Sequence, residues 1–118
     1  MSLATNIKGR LAVKVHQAKN FKKCDPYFKL VVDDLSAKSS QKNSCTEGVW
    51  NYELSVDLDG SQDNFELQLW DYDKWSKDDL VDTTGKMTLK SAIQQWNGKG
   101  TLWINMQNGS KVEITMKL

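Results

Sequence analysis

Hydrophobic and polar residues alternate along most of the chain, with the period of two that a half-buried β-strand produces. The first such run places Leu11, Val13 and Val15 on one face. The same pattern recurs over residues 28–32, 52–58, 65–69, 102–106 and 112–118. Segments of this length and spacing are typical of short antiparallel strands.

Turn-forming pairs separate the alternating runs: Asp33–Asp34, Asp59–Gly60, Asn97–Gly98 and Asn108–Gly109. The last pair directly separates two runs, which predicts a tight hairpin with a primed turn. One short segment, Lys90–Trp96, has the character of a helix. Many short strands with frequent turns indicate an all-β fold, and we expect an eight-stranded antiparallel β-sandwich with one short helix near residues 90–96.

Length and charge limit what the chain can do. It has 118 residues, 39% of them hydrophobic, which is enough for one domain with a core of its own. Sixteen basic and fifteen acidic residues give a net charge of only +1, whereas general nucleic-acid binders are usually more basic. We therefore expect no nucleic-acid partner. No apolar run approaches the roughly 20 residues that span a bilayer, so any membrane contact is expected to be peripheral.

Cysteine and histidine are scarce. A disulfide framework in a chain this short normally shows more than the two cysteines found here, Cys24 and Cys45. We expect two free thiols in an intracellular protein. The single histidine, His16, lies in an alternating run and is predicted to be an exposed strand residue, because a zinc site needs several N or S ligands.

The segment LWDYDKWSKDDL, residues 69–80, crowds four aspartates into one connection. Asp71 and Asp73 continue the parity of Phe65 and Leu67, so the strand carries its carboxylates inward at one end of the sandwich. Carboxylates within about 4–6 Å of one another either have a raised pKa or require a cation. An all-oxygen set of ligands favours a hard ion, and calcium fits better than magnesium or zinc.

This segment admits two other interpretations. An EF-hand is excluded, because the fifth, sixth and twelfth positions from Asp71 hold Trp75, Ser76 and Asp82 rather than the residues that loop requires. A solvated acidic turn without a ligand remains the alternative on composition alone, since loops are commonly polar.

Three segments together resemble the C2 domains, the phospholipid-binding modules of protein kinase C and synaptotagmin. LWDYDKWSKDDL looks like their third calcium-binding loop, and CDPYFKL, residues 24–30, is similar to the Asp-Pro-Tyr motif of their first loop. TEGVWNYEL, residues 46–54, looks like their Asn-Pro-x-Trp-Asn-Glu turn, although Glu47–Gly48 stand where Asn-Pro is common. The resemblance implies a C2-like domain over residues 9–118 after an extension of residues 1–8, with ion-binding loops at one end and the permuted, type II strand order.

The resemblance also implies a set of calcium ligands. These are the side chains of Asp71, Asp73 and Asp79 in the third loop and Asp25 in the first, with the carbonyl of Tyr72 and an oxygen from Ser76. Asp78 is assigned to the electrostatic field rather than to the ligands. The family usually has a further aspartate in the first loop, where this chain offers only Asn20 as a weak substitute. We therefore expect one usable calcium site and a second that is weak or absent.

Membrane contact is expected at the tip of the third loop. In the resembling family, the position of Trp75 often holds a hydrophobic residue that enters the bilayer, and an indole suits the headgroup layer. The alternative is that Trp75 packs back onto neighbouring loops. Four lysines surround the acidic pocket and would attract an anionic leaflet: Lys22, Lys23, Lys74 and Lys77. The other tryptophans are predicted to pack: Trp50 beneath the second loop, and Trp70, Trp96 and Trp103 elsewhere.

The sequence thus predicts a non-enzymatic domain that binds anionic phospholipid through three loops when calcium is present. We expect a cytoplasmic monomer that is recruited reversibly to membranes. The alternative, favoured by the missing first-loop aspartate, is a calcium-independent lipid- or protein-interaction module of the same fold. An enzyme is disfavoured, because the chain shows no nucleophile motif and no glycine-rich phosphate loop. The sequence leaves open whether further domains of a larger protein accompany these residues.

Overall fold

Two antiparallel β-sheets face each other across one hydrophobic core. The computed structural model describes residues 6–118, so most of the predicted extension, residues 1–8, lies outside the described residues. The strands are β1 (Lys8–Lys19), β2 (Pro26–Val32), β3 (Leu35–Lys38), β4 (Gly48–Asp59), β5 (Asn64–Asp71), β6 (Asp79–Thr83), β7 (Met87–Thr88), β8 (Thr101–Asn105) and β9 (Lys111–Lys117). The predicted sandwich is confirmed, and β7 is a two-residue addition to the eight longer strands.

The strand order explains how the loops come to one end. One sheet has the order β4-β1-β9-β8, and the other has the order β3-β2-β5-β6, with β7 paired to β5. The described chain enters the sandwich on a central strand, β1, and its last strand, β9, pairs beside it. This is the type II order that the resemblance implies.

The alternating residues build the core as their period predicts. Leu11, Val13 and Val15 of β1 are fully buried, and they belong to the same hydrophobic core as Phe28 and Leu67 of the second sheet. The ladder of β1 shifts register between Val15 and Gln17 against both of its neighbours, which is a β-bulge.

His16 lies at this bulge and departs from its prediction as an exposed residue. It is half-buried, and its Nε2 lies 2.7 Å from the hydroxyl of Thr115 on β9. The bulge takes His16 out of the regular ladder, so alternation along the strand could not predict its burial.

The helix forms where it was predicted, as α1 over Leu89–Trp96. Thr88 caps it, since its hydroxyl accepts the amide of Ser91 at 3.1 Å. The prediction of a primed turn at Asn108–Gly109 is wrong. Of the two residues only Gly109 has a positive φ, at 93°, whereas an Asn-Gly turn of type I′ needs both. The hairpin is closed instead by a three-residue loop ending in a left-handed glycine.

A buried carboxylate, Asp82, explains the shape of that hairpin. Its side chain is 0% exposed and accepts the amides of Asn108 at 2.7 Å and Ser110 at 3.0 Å. A third amide, that of Thr83, donates to it at 2.8 Å. Asp82 therefore joins β6 to the β8–β9 connection and gives a partner to the amide of the buried Ser110.

At the C-terminal end of β2, Asp33 joins two connections in a similar way. It has a φ of 53°, and its carboxylate accepts the amide of Asp63 at 2.6 Å and the side-chain amide of Asn64 at 2.9 Å. The hydrogen bond from Asp63 holds the pKa of Asp33 below its usual value. The charged form of Asp33 therefore stabilises the fold.

Asp33→Asn should make the protein less sensitive to acid. The variant keeps an acceptor and tolerates the positive φ, but it loses the charge. Because the folded pKa of Asp33 is lowered, its contribution is present above about pH 4 and is lost as the pH falls through the folded pKa. Asp33 is exposed, so we expect wild type to be more stable by under about 1 kcal/mol at neutral pH. Urea unfolding at neutral and acidic pH checks this, and an equal gap at both would contradict it.

Candidate functional site

Three connections meet at one end of the sandwich: loop 1 (residues 20–25), loop 2 (residues 39–47) and loop 3 (residues 72–78). The pairing of β2 with β5 places Pro26 opposite Asp71, so loop 1 ends where loop 3 begins. The pairing of β5 with β6 places Asp79 opposite Asp71. Strand register therefore brings the end of loop 1 and both ends of loop 3 together.

Asp25 is bonded to both of the other loops. Its amide donates to Oδ1 of Asp71 at 2.9 Å, and its carbonyl accepts the amide of Tyr72 at 2.9 Å. From loop 2, the amide of Ser44 donates to Oδ1 of Asp25 at 2.8 Å. These bonds hold the carboxyl groups of Asp25 and Asp71 at the junction, as the parity of β5 predicts for Asp71.

An open hollow of about 580 Å³ lies between the loops. Its lining residues are Lys23, Cys24, Asp25, Ser44, Asp71, Tyr72, Asp73, Lys74 and Trp75. Seven of these are residues that the sequence analysis assigned to calcium or membrane contact. Four other assigned residues are not among the lining residues: Lys22, Ser76, Lys77 and Asp79. Of these, Ser76 is bonded to a lining residue, because its hydroxyl donates to Asp73 at 2.7 Å.

Asp73 shapes the tip of loop 3. Its Oδ1 accepts the amides of Trp75 at 2.8 Å and Ser76 at 3.2 Å. The hydrogen bond from the Trp75 amide, followed by that from the Ser76 hydroxyl, lowers the pKa of Asp73. The carboxylate that faces the hollow therefore also fixes the backbone that carries Trp75.

Asp78 has a structural role that sequence analysis missed. Its Oδ2 accepts the hydroxyl of Tyr27 at 2.5 Å, and its Oδ1 accepts the amide of Asp73 at 2.9 Å. Desolvation and this carboxylate raise the pKa of Tyr27, and the Tyr27 hydroxyl lowers the pKa of Asp78. We call the pair Tyr27 and Asp78 the loop-3 brace. The Asp-Pro-Tyr motif of loop 1 thus supports loop 3 through its tyrosine.

Trp75 projects into solvent. It is 87% exposed, and the Nζ of Lys74 lies 5.2 Å from its ring centroid. The alternative in which Trp75 packs onto neighbouring loops is therefore wrong. An exposed indole beside a lysine is suited to an interface between water and lipid headgroups.

The other tryptophans divide into packed and exposed residues. Trp50 is 8% exposed and its Nε1 donates to the carbonyl of Ser40 in loop 2 at 3.0 Å, as predicted. Trp96 packs against Phe65 with ring centroids 5.7 Å apart. The prediction that Trp103 is a packing residue is wrong. It is 45% exposed on β8, the edge strand of its sheet, because the odd-numbered residues of this strand face outward.

The donor set is chemically suited to calcium, because the hollow offers carboxylate, carbonyl and hydroxyl oxygens and no imidazole. Within residues 6–118, however, no group of three or more His, Cys, Asp or Glu side chains is already arranged to hold a metal ion. The carboxylates of Asp25, Asp71 and Asp73 each accept hydrogen bonds from the protein. The carboxylate oxygens thus line one hollow but accept hydrogen bonds from the protein itself.

Both cysteines are free thiols, as predicted. Cys24 is buried in loop 1 and Cys45 is half-buried in loop 2. Burial, followed by the negative charge of Asp71, raises the pKa of Cys24 to about 11. Burial also raises the pKa of Cys45.

Comparison with known sequences gives matches to plant proteins. The chain is 36% identical over 78 residues to the protein C2-DOMAIN ABA-RELATED 11 of Arabidopsis thaliana, which covers 62% of this chain and 47% of that protein. It is 35% identical over 57 residues to the ADP-ribosylation factor GTPase-activating protein AGD12 of the same plant, covering 48% of this chain and 17% of that protein. The chain thus spans about half of the first relative and much less of the second.

Solved structures share the fold. A single C2 domain of plant extended synaptotagmin 1 superposes with a TM-score of 0.68 at 19% identity, covering 92% of this chain and 94% of that one. The calcium-bound pair of C2 domains from extended synaptotagmin 2 gives a TM-score of 0.71 at 16% identity, covering 98% of this chain and 47% of that one. In the described part of the chain, no helix is both long and apolar enough to cross a membrane. The C2 domain family model matches residues 9–106, and the chain belongs to the C2 domain family.

Proposed function

We propose that this C2 domain is a non-catalytic module that binds calcium between loops 1 and 3 and, with calcium bound, attaches to anionic phospholipid surfaces. The observation that carries the proposal is the placement of Asp25, Asp71 and Asp73 on one hollow whose rim holds the exposed Trp75. Carboxylates on one hollow repel one another, and a bound cation would offset this repulsion.

The proposed ligands are the carboxylates of Asp25, Asp71, Asp73 and Asp79, the carbonyl of Tyr72 and an oxygen of Ser76. Lys23 and Lys74 line the same hollow, so positive charge already stands beside the carboxylates. A bound divalent ion would supply the excess positive charge that an anionic leaflet attracts. The module is proposed to act as a monomer in the cytoplasm and to leave the membrane when calcium falls.

A single calcium ion fits this chain better than two. Asn20, the only substitute for the missing first-loop aspartate, has a φ of 64° and lines a separate hollow with Lys22, Val81 and Asn108. Asn20 is therefore not among the residues that line the hollow with Asp25 and Asp71. We therefore propose a single calcium site.

A second candidate function is a calcium-independent interaction module. It is favoured by the hydrogen bonds that already satisfy Asp73 and by the loop-3 brace, which hold loop 3 in shape without an ion. Both candidates use the same surface around Trp75. They differ in whether a cation is needed.

Calcium should raise the thermal stability of the domain if the first candidate is correct. Calcium at 100-fold over its dissociation constant adds about 2.7 kcal/mol to the free energy of unfolding, because the ion binds the folded state alone. Differential scanning calorimetry with calcium and with a chelator measures the shift. Asp71→Asn should abolish it, whereas Asp57→Asn, on an exposed residue of β4, should keep it. No shift for wild type at millimolar calcium would favour the second candidate.

Trp75→Ala should weaken binding to vesicles that contain phosphatidylserine by roughly tenfold or more, which corresponds to about 1.4 kcal/mol. The matched control is Trp103→Ala, because Trp103 is also exposed and also carries a lysine, Lys19, at 4.8 Å from its ring, but lies on β8. Cosedimentation with vesicles measures both variants. Equal losses for the two would remove loop 3 as the site of attachment.

Tyr27→Phe should loosen loop 3. The change deletes the hydroxyl that donates to Asp78, and we expect the free energy of unfolding to fall by about 1–2 kcal/mol. The calcium concentration needed for half-saturation should rise, since loop 3 must then be ordered on binding. Tyr52→Phe is the control, because Tyr52 is 39% exposed on β4. Urea unfolding and calcium titration of both variants test the brace, and identical behaviour would argue against it.

A further inference from the structure

The two free cysteines face each other between loops 1 and 2. Cys24 donates its amide to the carbonyl of Cys45 at 3.2 Å, and Cys45 donates its amide to the carbonyl of Cys24 at 3.0 Å. Such a mutual pair has its Cα atoms about 5.5 Å apart. Disulfide bonds span Cα separations of about 4.4–6.8 Å, so the Cα separation is suitable. Their Cβ atoms lie about 3.5–4.5 Å apart, whereas those of a hydrogen-bonded pair lie up to about 5.5 Å apart, so closing the bond requires a small inward shift of the two loops. Directly opposed residues also project their side chains to the same face of the ladder.

The pair lies against the candidate calcium site. Cys24 lines the hollow and precedes Asp25, whose carboxylate accepts the amide of Ser44, the residue before Cys45. Phe21 of loop 1 also donates its amide to Thr46 at 3.4 Å. Hydrogen bonds thus join loops 1 and 2 at this point, and a covalent bond there would fasten them together.

We propose that Cys24 and Cys45 are a reversible disulfide site, whose oxidation fastens loop 1 to loop 2 beside Asp25. This inference goes beyond the proposed calcium-dependent function and does not require that calcium binds. It makes the rigidity of the loop end depend on the thiol–disulfide balance around the protein. The oxidant it requires is a low-molecular-weight disulfide, and oxidised glutathione is the probe for the test.

The reaction is two steps of thiol–disulfide exchange. Cys45 is the more exposed thiol, so its thiolate attacks one sulfur of oxidised glutathione, the S–S bond of the oxidant breaks, and one glutathione thiolate leaves. The Cys24 thiolate then attacks the Cys45 sulfur of the mixed disulfide and releases the second glutathione. The protein loses two electrons and two protons, and both are recovered in the two molecules of reduced glutathione.

The bond would enclose residues 24–45, the segment that contains β2 and β3. Closing such a loop stabilises a folded protein chiefly by restricting its unfolded state. The effect of the disulfide on the folded state is local. The bond prevents loops 1 and 2 from separating and so protects the hydrogen bond between the Ser44 amide and Asp25.

The test incubates the folded protein with oxidised glutathione at mildly alkaline pH in the presence of a calcium chelator. Peptide mass spectrometry after blocking of free thiols should show one cross-link between Cys24 and Cys45. The melting temperature should rise by roughly 5–15 °C and return to its starting value after reduction. Cys24→Ser and Cys45→Ser, each with one thiol left, should show no such rise.

The exchange rates of individual amide hydrogens distinguish a local effect of the disulfide from a general stabilisation of the fold. Oxidation should slow exchange of the Ser44 amide severalfold, because its bond to Asp25 lies next to the disulfide. The Asp63 amide, which bonds to the side chain of Asp33 in another loop, should be unchanged. Mixed glutathione disulfides that persist on both thiols, or cross-links only between molecules, would overturn the proposal. Because calcium is absent throughout, failure here would leave the calcium proposal standing, and the reverse also holds.

Discussion

The pairing of β2 with β5 is the constraint on which the candidate site depends. It sets Pro26 opposite Asp71, so the residues just beyond this pair meet, and two hydrogen bonds of 2.9 Å join Asp25 to Asp71 and Tyr72. The two carboxyl groups cannot separate unless the strand ends come apart. In the proposed function, a cation bound at this junction offsets the charge of the two carboxylates.

Loop 3 meets the remaining requirement, which is to present Trp75 outward. The carboxylate of Asp73 accepts the amide of Trp75. Asp78 of the loop-3 brace accepts both the amide of Asp73 and the hydroxyl of Tyr27. Because the loop is already shaped by these bonds, a bound ion would change the charge of the surface more than its conformation. In the proposed function, the domain therefore acts as an electrostatic switch with a fixed anchor, rather than as a loop that folds on binding.

The sequence predicted those features that follow from periodicity and local motifs. Alternation identified β1, β2, β4, β5, β8 and β9 and the inward parity of Asp71, whereas β3, β6 and β7 were not located by it. The short helix lay where it was expected. The Asp-Pro-Tyr and loop-3 motifs led to the family. The hollow brings together most, but not all, of the residues that the motifs nominated, since Asp79 stands on β6 as the strand partner of Asp71.

Other features depend on contacts between distant segments, and no local pattern reports them. The burial of Asp82 requires two amides from the β8–β9 hairpin, and the same contact accompanies a turn that differs from the Asn-Gly expectation. The loop-3 brace depends on a tyrosine 51 residues from its partner. Each of these follows only once the strand order is known.

The most direct test of the central claim is a calcium titration of the isotopically labelled protein followed by amide chemical shifts. The account predicts saturable shifts at Asp25, Ser44, Tyr72 and Asp73, the amides at the junction of the three loops, with no change at the distant Asn64. An absence of saturable shifts at those amides in millimolar calcium, or saturation confined to another part of the sandwich, would contradict it.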